Sequence, residues 1–253
     1  MLPRFHAAHL TTDASDLVLP PGESAHLARV LRLAAGSAVE VFDGRGLLRA
    51  GVVVRPAPQG SVLLLGERRA AAAEPPASLT IVQALLKGDA MDAVVRDATV
   101  LGATTIQPVT SARANVPARA VAAAHERWNR VAVAAAKQCG RATLPMIAPV
   151  AQAAALWADH GGIAALAPHA SRLWLTEPNL GVDAHAEVPD PPHPVCLAIG
   201  PEGGWTAEEW EAARTGGWHA WTLGPITLRA EQVTLAALSV IRYAWAAAGR
   251  RMT

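Results

Sequence analysis

The sequence predicts two domains of different fold class: a small β-rich domain, then an α/β domain with a mainly parallel sheet. Up to residue 69, short apolar runs alternate with turn residues, as in small β domains. Beyond residue 78, apolar strands alternate with long amphipathic helices. The chain has 253 residues, 51% of them hydrophobic, so it can bury two cores. We expect domains over residues 1–70 and 79–253, joined by a linker over 71–78.

Three strands and one helix are predicted in the first domain. Residues 39–42 and 47–54 flank Asp43-Gly-Arg-Gly46, a glycine-containing hairpin loop, and 61–65 supplies another strand. The helix is expected to begin with Ser24 as its N-cap. Its predicted faces are Leu27, Val30 and Leu31 on the apolar side, and Arg29 and Arg32 on the solvated side.

The second domain is expected to begin with a strand over 79–85. Asp89 then caps a helix that ends at Gly102 and carries an ion pair between Asp92 and Arg96. The predicted apolar face of this helix consists of Met91, Val94, Val95, Ala98 and Leu101. The remaining predicted strands are 104–109, 163–166, 195–199 and 221–224. The remaining predicted helices are one lined by Trp128, Val131 and Ala135 that ends near Cys139-Gly140, and those over 151–159 and 230–247.

A glycine-rich turn follows the buried strand 195–199. It contains Gly200, Gly203 and Gly204, and Thr206 with Glu209 forms a T-x-x-E capping box that marks a helix start. Such glycines allow a ligand to lie directly against backbone N–H and C=O groups. A tight turn without a ligand is the simpler explanation of an isolated cluster. The spacing matches neither a dinucleotide fingerprint nor a P-loop.

A second irregular loop runs from Leu223 and Gly224 to Leu228, followed by Arg229 and Glu231 at the start of the last helix. In α/β sheets, ligands bind in loops at the carboxyl ends of strands. Taken alone, Glu231 is explained as a partner of the helix dipole and Arg229 as a solvated charge. The two loops together mark a candidate binding site.

Composition excludes several classes of protein. The net charge of +1 excludes a uniformly basic nucleic-acid coat. No apolar run of membrane-spanning length or signal-peptide core occurs, and Cys139 and Cys196 do not suggest a disulfide framework, so we expect a cytoplasmic protein without membrane contact. His6 with His9, and His193 with Cys196, lack a second ligand pair, so no metal is expected.

Five motifs occur in order along the chain. They are His26-Leu-x-Arg29-Val-Leu-Arg32-Leu, Lys87-Gly-Asp-x-Met91-Asp92 with Leu101-Gly102 and Pro108, Gln138-Cys-Gly-Arg141 before Pro145, Ile199-Gly-Pro-Glu-Gly-Gly204, and Leu223-Gly224 with Arg229-x-Glu231. In this order they resemble the SPOUT methyltransferases, specifically the ribosomal RNA uridine-N3 methyltransferases of RsmE type, over essentially the whole chain. The chain departs from that family's pattern at Val100, in place of an acidic residue, and at Gln232-Val233, in place of Thr-Ala.

The resemblance implies a PUA-like β-barrel that binds RNA and a trefoil-knotted α/β domain that binds S-adenosylmethionine as a homodimer. It implies N3 of a uridine in 16S ribosomal RNA of the small subunit as the methyl acceptor. The implied cofactor-binding residues are Leu166, Pro168, Ile199, Gly200, Pro201, Glu202, Gly203, Gly204, Leu223, Gly224 and Leu228. A ribose 2′-O or different-base RNA methyltransferase and a non-catalytic knotted RNA-binding protein stay open as alternatives.

Arg229 and Glu231 are the candidate catalytic residues. N3 of uracil keeps its proton at neutral pH, so an enzyme of this kind must favour the imide anion and align the nitrogen with the methyl group. Arg229 stays charged and can donate two parallel hydrogen bonds to the flanking carbonyl oxygens. Glu231 is expected to orient Arg229, because a carboxylate beside an arginine is a weakened base.

RNA binding is expected on the first 145 residues. They carry 16 Lys and Arg against 11 Asp and Glu, a net +5, whereas residues 146–253 carry 6 against 10, a net −4. The candidate phosphate contacts are Arg4, Arg29, Arg32, Lys87, Arg113 and Arg141. Among the eight tryptophans, Trp205 is expected to be exposed. Binding through such charges should weaken with added salt.

Overall fold

The computed structural model describes residues 2–114, 116, 118–157, 162–177, 188 and 192–251. They form two compact units, one made of residues up to Glu74 together with 133–144, the other of 75–132 and residues from 145 onward. The segment 133–144, which the predicted boundaries assign to the second domain, thus belongs to the first unit. None of the helices in the described ranges is long and apolar enough to cross a membrane.

The first unit is built around a five-stranded sheet. Its strands are β1 (Arg4–His6), β2 (Asp16–Val18), β3 (Ala38–Phe42), β4 (Leu48–Arg55) and β5 (Val62–Arg68), in the order β1-β3-β4-β5-β2. β1 pairs with β3 in parallel, and the other pairs are antiparallel. Alternate side chains, among them Val39, Val41 and Leu63, pack in a core with Phe5. The three strands predicted here are confirmed.

The turn between β3 and β4 is the predicted hairpin loop. Gly44 and Gly46 have φ of +81° and +111°, a region that L residues rarely adopt. The Asp43 carboxylate accepts hydrogen bonds from the backbone N–H groups of Arg45 and Leu47 at 2.7 and 3.0 Å. The turn therefore depends on residues within the loop and at its edges, which is why it is readable from sequence.

The helical segment of this unit consists of α1 (Pro21–Ala25) and one π-helical turn (His26–Val30). Ser24 lies inside α1, where its hydroxyl donates to a backbone carbonyl, so its predicted role as N-cap is wrong. Leu27 is buried as predicted, but Val30 and Leu31 are 66% and 40% exposed. The wider π turn breaks the period of about 3.6 residues on which the predicted apolar face depended.

The second unit contains a parallel sheet of seven strands. They are β6 (Leu79–Ala84), β7 (Thr105–Thr110), β8 (Met146–Ile147), β9 (Ala151–Gln152), β10 (Ser171–Leu175), β11 (Val195–Ile199) and β12 (His219–Trp221), in the order β12-β10-β11-β6-β7-β8, with β9 also paired to β7. Its helices are α2 (Ala90–Val100), α4 (Ala153–Trp157), α5 (Gly162–Leu166), α6 (Ala207–Thr215) and α7 (Ala230–Arg251), while α3 (Ala118–Cys139) has residues in both units. Because the strand pairs are parallel, the carboxyl ends of β10, β11 and β12 lie at one edge.

Helix α2 has the predicted apolar face but not the predicted ion pair. Met91, Val94, Val95 and Ala98 are buried. Arg96 pairs with the adjacent Asp97 at 2.9 Å, whereas Asp92 pairs with Arg127 of α3 at 3.0 Å. Asp89 precedes the helix without a side-chain capping bond. A partner on a packed neighbouring helix thus replaces the i,i+4 partner that sequence spacing suggested.

Several elements of this unit differ from their predictions. Gly162–Leu166 is a helix where a strand is predicted, since so short an apolar run has no period to separate the two. β8, β9 and β10 are absent from the predicted elements, and the last strand lies at His219–Trp221 instead of 221–224. β9 occupies the first two residues of the predicted helix 151–159, which begins at Ala153. The α/β class with a parallel sheet is confirmed, and the trefoil knot stays a prediction.

Candidate active site

The first wall of the candidate site is the glycine loop, residues 200–206, between β11 and α6. The predicted capping box is present: Glu209 N–H donates to Thr206 Oγ1 at 3.2 Å, and Thr206 N–H donates to Glu209 Oε2 at 2.9 Å. Trp205 is buried against Gly200, so its predicted exposure is wrong. A Cβ on Gly200 would lie 3.1 Å from the indole nitrogen of Trp205, so a side chain there would fit only if Trp205 moved slightly.

Two neighbouring loops hold the glycine loop in place. The Arg113 guanidinium donates to the carbonyl oxygens of Gly203 and Trp205 at 2.9 and 3.3 Å. The backbone N–H of Lys87 donates to Glu202 Oε1 at 3.1 Å. Arg113, a candidate phosphate contact by sequence, therefore has a positioning role that its sequence context does not signal.

The second wall is the loop from Thr222 to Leu228. Gly224 has φ +113°, and the Thr222 hydroxyl donates to its carbonyl at 3.2 Å. At the start of α7 the backbone N–H of Arg229 donates to Gln232 Oε1 at 3.2 Å. The glutamine at this departure from the family pattern thus caps the helix that begins beside the site.

A cavity of about 590 Å³ lies between these loops. Of the predicted residues, Ile199, Gly200, Pro201, Glu202, Gly204, Leu223, Leu228, Arg229 and Glu231 line it, while Gly203 and Gly224 belong to its loops but not to its lining. Its size lies within the range of about 300–1,000 Å³ that small-molecule sites occupy. The structure therefore brings most of the predicted site residues together.

The third wall differs from the prediction. It is formed by Leu175, the last residue of β10, and by Thr176 and Glu177 after it, and not by Leu166 and Pro168. Leu166 ends helix α5 and packs on the other face of the sheet, against the cluster around Trp157 and Trp174. Other lining residues absent from the prediction are Ala90, Trp205, Thr222, Ile226, Thr227, Ala230 and Val233. The signal available for the third wall is a short apolar run, Leu173-Trp-Leu175, that ends in polar Thr176 and Glu177.

Charge at the cavity comes from Glu177, Glu202, Glu231 and Arg229. A Cβ on Gly204, which has φ +67°, would lie 3.2 Å from Glu177 Oε1, so this carboxylate sits close over the glycine loop. Within the described residues no ion pair joins Arg229 to Glu231, so both remain available to a ligand. No group of three or more His, Cys, Asp or Glu side chains in that part of the chain could hold a metal ion.

The candidate phosphate contacts separate into buried and exposed residues. Arg4 is 6% exposed, with its guanidinium 3.2 Å from Glu40, and burial lowers its pKa. Arg141 is 3% exposed and makes an ion pair with Glu74 at 2.6 Å. These two do not present a free guanidinium to RNA, and the expectation of a phosphate contact is corrected for both. The exposed candidates are Arg29, Arg32, Lys87 and Arg113.

Two family models match the chain. One described as an RNA methyltransferase domain matches residues 73–242, and one described as an RNA methyltransferase PUA domain matches residues 19–62. The ribosomal RNA small subunit methyltransferase E of Synechocystis sp. is 34% identical over 85% of this chain and 69% of its own length. The protein of the same name from Mycobacterium bovis is 30% identical over 95% of this chain and 92% of its own.

Solved structures resemble the chain over nearly its full length. A ribosomal RNA small subunit methyltransferase E from Neisseria gonorrhoeae, bound to S-adenosyl methionine, has a TM-score of 0.85 and 26% identity, and the match covers 97% of this chain and 98% of that one. A putative methyltransferase from Legionella pneumophila, in complex with the same cofactor, has a TM-score of 0.86 and 25% identity, with 96% and 98% covered.

Proposed function

Since the chain belongs to the ribosomal RNA small subunit methyltransferase E family of RNA methyltransferases, we propose that it transfers a methyl group from S-adenosylmethionine to N3 of a uridine in 16S ribosomal RNA. The observation that carries this proposal is the cavity itself. The cavity lies at the carboxyl edge of a parallel sheet, between the glycine loop, the second loop and the first turn of α7. Arg229 and Glu231 are in its lining.

The cavity suits S-adenosylmethionine in volume and chemistry. Leu175, Ile199, Leu223 and Leu228 offer apolar surface for a nucleoside, while the loops around Gly200 expose backbone groups that can pair with an adenine edge. The carboxylate of Glu177 over the glycine loop can accept hydrogen bonds from ribose hydroxyls or an ammonium group. When bound, this cofactor supplies a methyl group activated on a sulfonium sulfur.

Arg229 activates the acceptor in this proposal. Its guanidinium is exposed at the cavity and carries no ion pair within the described residues, so it can donate to the two uracil carbonyls that flank N3. A cation at this place favours the imide anion over the protonated base. Glu231 lies in the same lining without a bond to Arg229, and its role as the residue that orients Arg229 stays a prediction.

A homodimer is part of the proposal. On the same helix as Glu231, the uncharged side chains of Leu235, Val240 and Tyr243 are 46%, 44% and 72% exposed. An apolar surface of this kind on a helix that starts at a cavity suits a second copy of the chain. Sedimentation of Tyr243→Glu should show monomers, whereas Val54→Glu, a matched change on the exposed face of β4, should leave the dimer intact.

Mass mapping of 16S ribosomal RNA from cells lacking the protein tests the reaction. The expected result is loss of one base-methylated uridine, restored by the wild-type chain. Arg229→Ala should lower turnover on the same RNA by about 10²–10³-fold, while Arg214→Ala, an exposed arginine of α6 outside the cavity, should match the wild type. A methyl group on ribose or on another base, or no cofactor binding by the wild-type chain, would contradict the proposal.

A further inference from the structure

A glutamine side chain is buried in the central strand of the parallel sheet. Gln83 is the next-to-last residue of β6, a strand whose six residues are all buried, and its own exposure is 0%. Its immediate neighbours along the strand, Val82 and Ala84, are apolar, as expected for a sheet covered on both faces. A buried amide is unfavourable unless its polar atoms have partners, so these partners define what Gln83 does.

The partners of Gln83 connect the start of the glycine loop with helix α7, whose first turn lines the cavity. Its Nε2 donates to the adjacent Ala84 carbonyl at 3.0 Å and lies 3.5 and 3.4 Å from the carbonyl oxygens of Ile199 and Gly200, where the glycine loop begins. Its Oε1 accepts a hydrogen bond from the hydroxyl of Thr234 at 3.3 Å. Thr234 is fully buried in α7, one turn beyond Glu231. Neither Gln83 nor Thr234 lines the cavity itself.

We propose that Gln83 and Thr234 are positioning residues that hold the glycine loop and the first turns of α7 in register across the cofactor cavity. This inference rests on the proposed function, since it assumes that S-adenosylmethionine occupies the cavity. The cofactor would be held largely by backbone groups of these loops, so a small shift between them changes binding and alignment. Apolar residues at both positions 83 and 234 would leave no polar side-chain atom to satisfy there, so the buried pair is better explained by the geometry that it sets than by stability.

The matched test compares two buried glutamines on neighbouring strands. Gln107 of β7 is also buried, and its Nε2 donates to the carbonyls of Pro108 and Pro149 at 2.8 Å each, away from the cavity. Titration with S-adenosylmethionine should show about tenfold weaker binding by Gln83→Leu. KM for the cofactor should rise by a similar factor, with a smaller change in kcat. Gln107→Leu should bind the cofactor as the wild type does.

Thr234 supplies an independent arm of the same experiment. Thr234→Val removes the hydroxyl at nearly constant volume and should weaken cofactor binding, whereas Thr234→Ser keeps the hydroxyl and should restore it. Because the two side chains act through the hydrogen bond between them, their effects should not add. The double variant Gln83→Leu with Thr234→Val should bind S-adenosylmethionine no more weakly than whichever single variant binds it less tightly.

Cofactor binding by folded Gln83→Leu at the wild-type level would overturn the inference, as would an equal loss in Gln107→Leu. If Gln83→Leu does not fold, equal binding by Thr234→Val and Thr234→Ser would overturn it. Failure of the wild-type chain to bind S-adenosylmethionine would instead count against the proposed function.

Discussion

Replacing Arg141 by alanine should lower the thermal stability of the first unit and leave RNA binding by the folded protein unchanged. The Arg141 guanidinium is buried, and its Nε lies 3.1 and 3.0 Å from the two carboxylate oxygens of Glu74. A second guanidinium nitrogen donates to Glu74 Oε2 at 2.6 Å. The backbone carbonyl of Arg141 in turn accepts a hydrogen bond from Arg4 at 3.2 Å. These contacts fasten the segment after α3 to the end of the first 74 residues.

The size of the effect follows from the burial of the two partners. Removing one partner of a fully buried ion pair costs about 3–5 kcal/mol. The side chains of Arg141 and Glu74 are 4% and 37% exposed, so water can solvate the carboxylate that is left behind. We therefore expect a loss of about 2 kcal/mol in the free energy of unfolding. For a chain of this size that corresponds to a fall in Tm of about 4–8 °C.

The assay pairs thermal unfolding, followed by circular dichroism, with RNA binding measured well below the transition. Arg29→Ala and Arg32→Ala serve as controls, because the opposite result is expected for them. Their Tm should be close to that of the wild type, and their RNA binding should be weaker and less dependent on salt. Arg141→Lys should recover only part of the stability, because an ammonium group cannot form the bidentate contact that the guanidinium makes with the Glu74 carboxylate. A wild-type Tm for Arg141→Ala, together with RNA binding as weak as that of Arg29→Ala, would refute the reasoning.

Three further changes have expected outcomes. Gly200→Ala should weaken S-adenosylmethionine binding and lower the free energy of unfolding by about 1–3 kcal/mol, because its Cβ would press on buried Trp205. Titration and denaturant unfolding measure the two effects. Unchanged values of both would show that the loop accommodates the methyl group. Gly102→Ala should cost more than about 2 kcal/mol in the same unfolding assay, since the residue has φ +95° and its Cβ would overlap the Pro75 ring; a wild-type Tm would contradict this. Burial lowers the pKa of His6, so folding disfavours its protonated form, and stability is expected to fall as pH drops below about 6.5. His6→Gln should flatten that part of the Tm profile against pH, and an identical profile would exclude His6 as its source.

Features with local causes are those that the sequence predicts well. The capping box between Thr206 and Glu209 and the hairpin loop with Gly44 and Gly46 depend on residues a few positions apart, and both are present. The apolar face of α2 is likewise correct, because a helical period is a property of the segment itself. The order of strands in the parallel sheet is not among the predictions, since no local signal encodes it.

Predictions about charged side chains fail where the ion-pair partner is far away in the sequence. Arg4 and Arg141 are of the residue type that contacts phosphates, yet both are buried in the first unit. Each is paired there with a carboxylate far away in sequence, Glu40 or Glu74. Asp92 takes Arg127 as its partner instead of Arg96 for the same reason. Charge type is visible in a sequence, whereas burial is set by tertiary packing, and burial determines whether an arginine is free to meet RNA.

The third wall of the cavity shows the same limit at the candidate site. Leu175 and Glu177 line the cavity because β10 lies between β11 and β12, a position that follows from strand order and not from sequence distance. The contacts of the Gln83 amide are equally invisible in the sequence, since its partners Gly200 and Thr234 are 117 and 151 positions away. The two loops with recognisable motifs identify the cavity, but the contacts that set its width come from residues without a motif. Substitutions at those positions are therefore the sharper test of how the fold shapes the site.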